Sequence, residues 1–200
     1  MASPTAHSAG VVYLLSLPVT DANIGAKNGA AVSVVEFGNG IIHQTVFTLT
    51  ALPLTIDNDA GAGAQVGGVK VYDFPTGQIT ILNASGSVAL TTTSVLADTL
   101  NASSTYNWGV GTTIAANSTL ATTEQDIIPT TNGTSSATIN VAGATSSSAS
   151  TVAPLTYNGK STAIDAFFNV GVANDVDLDG DATVTVTGTI TINWVFNGNV

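Results

Sequence analysis

Near the C-terminus apolar and polar residues alternate from Thr183 to Trp194, ahead of Val195 and Phe196. Val184, Val186, Ile190, Ile192, Trp194 and Phe196 share one parity, while threonines at 183, 185, 187, 189 and 191 and Asn193 share the other. Only Gly188 breaks the apolar side. Period two is the signature of a strand, whose successive side chains point to opposite faces. At roughly 3.3 Å per residue the stretch would span about 46 Å, well past the usual strand, so a bend or bulge is expected near Gly188. A strand so well specified is expected at the centre of a sheet. The alternative is a long edge strand used for subunit pairing, because an unpaired edge invites another chain.

The same alternation recurs from Ile164 to Val172, and this segment is expected to pair antiparallel with the closing strand across residues 174–181. Val11–Leu17 reads as a first strand. Ala31–Phe37 and Ile41–Leu54 read as a hairpin around Gly38-Asn39-Gly40, where positive φ is tolerated. Pro75-Thr76-Gly77 predicts a second hairpin, joining Val69–Phe74 to Gln78–Leu82. Tyr106–Gly111 is expected to be a strand that places Trp108 at a core margin, where its N–H finds an acceptor. Ser94–Leu100 is the one segment with a helical pattern. Many short strands between turn signals predict an all-β fold, an antiparallel β-sandwich of jelly-roll type.

Two segments fall outside that pattern. Residues 1–10 are small and polar and read as a tail, or as an arm that orders on a neighbouring subunit. Residues 130–153 are dominated by Ser and Thr, with Thr138–Val141 as a strand-like island, and read as an exposed excursion or inter-subunit strap. The organisation expected is an arm followed by a single sandwich domain over residues 11–200.

Composition narrows the partners. The chain has three Lys and Arg residues together, all lysine, against thirteen acids, for a formal charge of −10. Without arginine there is no bidentate phosphate clamp, and an acidic surface repels a polyanion, so nucleic acid is not an expected partner. There is no cysteine, which excludes disulfides and thiolate chemistry. The apolar run at residues 11–17 is too short to span a bilayer and follows no basic residue, so neither a membrane span nor a signal peptide is expected, and the chain is expected to start at its own Met1.

Candidate chemistry is sparse. Asp175, Asp177, Asp179 and Asp181 alternate, with Gly180 at the sixth place, which matches the first half of an oxygen-ligand Ca²⁺ loop. The twelfth place, where that loop needs a bidentate glutamate, is Val186. A solvated acidic turn and a weak or interface-bound Ca²⁺ site are the two readings. Gly61, Gly63, Gly67 and Gly68 suggest a phosphate loop, but Val66 stands where the third glycine should be and the following residues read as strand. The two histidines, His7 and His43, have no serine motif near them, so no catalytic residues are assigned. Four Asn-X-Ser/Thr matches, beginning at Asn83, Asn101, Asn117 and Asn132, arise readily in a chain of this composition.

Three stretches resemble structural proteins of tailed bacteriophages, particularly those of aquatic environments. They are Lys70-Val-Tyr-Asp-Phe-Pro-Thr-Gly77, Leu120-Ala-Thr-Thr-Glu-Gln-Asp-Ile-Ile-Pro-Thr-Thr131, and Asp165-Ala-Phe-Phe-Asn-Val170 leading to Gly188-Thr-Ile-Thr-Ile-Asn-Trp194. The resemblance implies a virion component and carries over no catalytic residue. The expectation built on it is a non-enzymatic capsid decoration (cement) protein, a homotrimer on the outer surface of the head that binds the major capsid protein. The alternatives are a receptor- or glycan-binding head fibre or tail component, and a Ca²⁺-dependent cell-surface adhesion module.

Overall fold

A computed structural model of the chain describes residues 25–38, 41–57, 66–92, 105–132, 140–142, 154–173 and 182–198. The strands are β1 (Ala26–Lys27), β2 (Val32–Gly38), β3 (Ile42–Ile56), β4 (Val66–Asp73), β5 (Gly77–Thr92), β6 (Thr105–Gly111), β7 (Ile128–Asn132), β8 (Asn140–Ala142), β9 (Leu155–Gly159), β10 (Asp165–Ala173) and β11 (Ala182–Gly198). Among the described residues a 3-10 turn occupies Thr122–Glu124. The arm, the segment at 11–17, the helical pattern at 94–100 and the Asp175–Asp181 turn lie outside the described residues.

The strands form two antiparallel sheets, one ordered β1-β4-β10-β6-β7 and the other β2-β3-β11-β5-β8, with β9 also paired to β5. Their pairings are nested: β3 with β11, β4 with β10, β5 with β8 and β9, and β6 with β7. A chain folded double in this way and then rolled up, so that successive pairs fall in alternate sheets, is a jelly roll. β1 and β2 extend the two sheets at one side.

The closing stretch is the central strand β11, paired to β3 on one side and β5 on the other, which rules out the edge-strand alternative. Its apolar parity is the core: Val184, Val186, Ile190, Ile192 and Trp194 are buried, and Phe196 packs against them. The expected irregularity is present. The register with β3 shifts between Val186 and Gly188. Opposite it, Ala51 adopts φ 47°, a left-handed conformation rare for a residue with a Cβ, and its N–H donates to Thr187 Oγ1 at 3.2 Å. Gly188 is required because a Cβ there would lie 2.2 Å from the Ser87 carbonyl oxygen.

Several local expectations are corrected. Pro75–Gly77 does not close a hairpin: β4 and β5 belong to different sheets, and the turn carries the chain from one layer to the other. β10 does not pair with β11 but with β4 and β6 in the opposite sheet, as nested pairing demands. Trp108 is not at a margin. It is 1% exposed, stacks on Phe168 at 5.7 Å, and its Nε1 has no hydrogen-bond partner among the described residues. β4 starts at Val66, so Gly67 and Gly68 are strand residues, not loop. Within the expected excursion, residues 130–132 continue β7 and residues 140–142 add to β5.

Candidate binding face and the polar clusters around it

The two outer faces of the sandwich are treated differently. Over the sheet containing β4, β10 and β6 lies the segment 112–127, held down by one side chain. Asn169 of β10 is fully buried, accepts from the Ala115 N–H at 3.0 Å, and donates to the carbonyl oxygens of Thr113 at 2.9 Å and Glu124 at 2.8 Å. Its register partners on either side are Gly68 and Gly109. The segment can approach because the floor lacks side chains: a Cβ on Gly171 would lie 2.2 Å from the Ser118 carbonyl oxygen. Glu124 fixes the segment internally by accepting from Ala116 N–H at 2.8 Å and Ala121 N–H at 2.9 Å. Gln125 ties it to Thr130 of β7 through both the backbone N–H and the hydroxyl. Asp126 accepts from the N–H and hydroxyl of Thr112, both at 2.9 Å, while burial pushes its carboxyl above the ordinary value.

The other sheet presents its outer face with no such cover among the described residues. The threonine parity of β11 runs down its middle, with Thr187 and Thr189 exposed. Strand register sets out its rows. One is Val35, Val46, Thr191 and Ser85; the next is Phe37, Gln44, Asn193 and Asn83; a third is Ile42, Val195, Thr80 and Thr156. None of these residues is ionisable, on a chain of formal charge −10. The polar groups are cross-linked: Gln44 Nε2 donates to Asn193 Oδ1 at 3.0 Å, and Asn193 Nδ2 donates to Asn83 Oδ1 at 2.7 Å. Thr80 Oγ1 takes a hydrogen bond from Asn197 Nδ2 at 2.7 Å and lies 2.9 Å from the Thr156 hydroxyl. Val35 and Ile42 are each 44% exposed, at the β2–β3 side of the face.

Two further clusters test for chemistry. At one end of the core, Glu36 of β2 sits 2.6 Å from His43 Nδ1 and accepts from the Tyr72 hydroxyl at 2.5 Å. His43 stacks on Trp194 with ring centroids 4.0 Å apart. Burial first, and then the Glu36 carboxylate, push the Tyr72 hydroxyl far above its ordinary value. The Gly25 N–H donates to that hydroxyl at 2.8 Å. This carboxylate–histidine pair has the outline of a catalytic dyad, but His43 is 1% exposed and its Nε2 has no partner among the described residues. Among the described residues no hydroxyl bonds that nitrogen, and the Tyr72 hydroxyl donates to Glu36 instead. On the surface of the opposite sheet, Lys70 bridges Asp73 at 2.5 Å and Asp165 at 3.3 Å. A lysine between two carboxylates could form an amide crosslink only as the free amine. Here the hydrogen bond to Asp73, foremost, raises its pKa and keeps it an ammonium. The triad is an ion pair network across β4 and β10.

Sequence reasoning passed over Asn169, Glu36 and the pairing role of His43. Alternation offered a signal for two of them, since Glu36 follows Val32 and Val34 on the inward parity of β2, as His43 precedes Thr45 and Phe47 on β3. Asp175, Asp177, Asp179 and Asp181 lie outside the described residues, and among those described there is no group of three or more His, Cys, Asp or Glu side chains placed to hold a metal. No protein-family model, curated protein or solved structure matches the chain.

Proposed function

We propose that this chain is a non-enzymatic structural component of a phage particle, a decoration protein seated on the outside of the head and bound to its major capsid protein. One observation carries the reading: the stretches that resemble phage structural proteins coincide with the parts that tie the scaffold together. Lys70–Gly77 holds two members of the ion triad, Lys70 and Asp73, and the crossover between sheets. Leu120–Thr131 is the second half of the segment clamped by Asn169, together with the start of β7. Asp165–Val170 and Gly188–Trp194 are the inner strands of the two sheets. What the resemblance preserves is thus a shape, with no reactive group open to solvent among these ties. A jelly roll is used by capsid and lectin domains alike, so the fold supports the reading without selecting it.

The charge supports the location. An arginine-free, acidic protein belongs outside a shell that encloses DNA. A protein that binds only the assembled lattice stabilises it by mass action, and about 800 Å² buried per partner is enough for a specific contact. A second reading, a glycan-binding fibre or tail component, is favoured by the neutral amide row Gln44–Asn193–Asn83, which could match sugar hydroxyls. Copy number separates the two. Quantitative mass spectrometry of purified particles should find hundreds of copies per virion; a dozen or so would replace the decoration role with the fibre or tail role.

A further inference from the structure

We infer that the outer face of the β2-β3-β11-β5-β9 sheet is the surface through which two copies of this chain pair, related by a two-fold axis near Val35 and Val46. The inference does not depend on what particle the protein serves.

Charge decides the occupant. Two bodies of formal charge −10 repel wherever acids line the contact. The rows described above carry no ionisable group; of the described acids in this sheet, Glu36 is buried on its inner side and paired with His43, and Asp57 lies beyond the end of β3. Along β3, Val46 stands eleven residues from Asp57, or roughly 36 Å at about 3.3 Å per residue. That distance is several times the screening length of about 8 Å at physiological salt. The described residues of this face therefore offer little mutual repulsion to a second copy.

Composition makes the face self-complementary. An isologous contact requires that one patch match itself, and hydroxyls and amides both donate and accept. Around Gln44 lie Val35, Phe37, Val46, Ile42 and Val195, an apolar patch toward the β2–β3 side with the hydroxyl rows of β11 and β5 beside it, the mix of apolar and polar surface that interfaces use. Gln44 itself is already held by Asn193, so covering it strands less polar capacity. A neutral glycan fits this centre less well, because no exposed Trp or Tyr among the described residues offers a stacking platform. Area is sufficient. Five strands about 4.8 Å apart, averaging about nine residues each on this face because β2 and β9 are short, cover roughly 700 Å², close to the amount a stable partner buries.

The sequence reading expected a trimer, whereas the two-fold use of one face proposed here would make a dimer, so oligomeric state separates the two. Sedimentation equilibrium on the full chain tests this. The wild-type protein should be dimeric at about 10 μM, unaffected by EDTA, and no weaker at about 500 mM salt than at about 50 mM, since no ion pair is made. Val35→Glu, on an exposed position, should weaken association at least ~100-fold, because the two-fold brings like charges together. Thr189→Glu, also exposed, should act in the same direction if Val35→Glu fails to fold. Thr119→Glu, on the clamped segment over the other sheet, should change nothing. A monomer at about 500 μM, a trimer, loss of association in EDTA, or a dimer indifferent to both face variants would each overturn the inference.

Discussion

Asn169 makes three hydrogen bonds from a side chain with no exposure, so its loss strands an N–H and two carbonyl groups. Asn169→Ala should cost about 3 kcal/mol in urea unfolding, whereas replacing an exposed threonine of β11 such as Thr189 should change stability by less than about 0.5 kcal/mol. Ala51 predicts the opposite sign. Its φ of 47° is costly for any residue with a Cβ, and Ala51→Gly should raise stability by roughly 0.5 kcal/mol, the relief exceeding the added entropy of the unfolded chain. A variant no more stable than wild type would mean that the bulge opposite Thr187 is not strained. Neither residue was visible in the sequence. Asn169 stands out only once its register neighbours Gly68 and Gly109 are known, and those come from strands about 100 and 60 residues earlier in the chain.

At the scale of elements, period two was legible wherever one face is buried by large side chains, as in β11, β10 and β3. β5 was seen only over Gln78–Leu82, although it runs to Thr92. Its continuation is built of small residues because the space is already filled: a Cβ on Gly86 would lie 3.1 Å from the Trp108 ring. Partners were not legible either, since nested pairing joins strands far apart in sequence, and local turn signals such as Pro75–Gly77 cannot say whether a chain returns beside itself or crosses to the other layer. The clamped segment adds a pH signature. The raised pKa of Asp126 means that the folded protein holds this proton more tightly than the unfolded chain. The associated stability is therefore full below the ordinary value of 3.8 and is lost as pH rises through the higher folded value. Asp126→Asn removes that loss, so its stability relative to wild type should improve as pH is raised from below 3.8 to neutrality. A constant difference across that range would show that Asp126 titrates normally. Gly171→Ala, which drives a Cβ toward Ser118, should loosen the segment and expose its amides to hydrogen exchange.

For the whole molecule, fold class followed from sequence because most local signals pointed to strands, while function did not, because the polar clusters among the described residues tie the scaffold together and are not open to solvent as a reactive group. What distinguishes the molecule is its asymmetry. Among the described residues, one outer face is covered by a segment locked to Asn169, and the other is neutral and cross-linked by side-chain hydrogen bonds, on a strongly acidic chain. On the reading proposed above, this asymmetry would serve a protein that lies against other protein surfaces. The decoration role is tested most directly by the temperature at which heads release their DNA, followed with an intercalating dye in particles with and without this protein. The account predicts release at a lower temperature from particles that lack it, restored by adding the purified chain back. Identical release temperatures in the two preparations would contradict it.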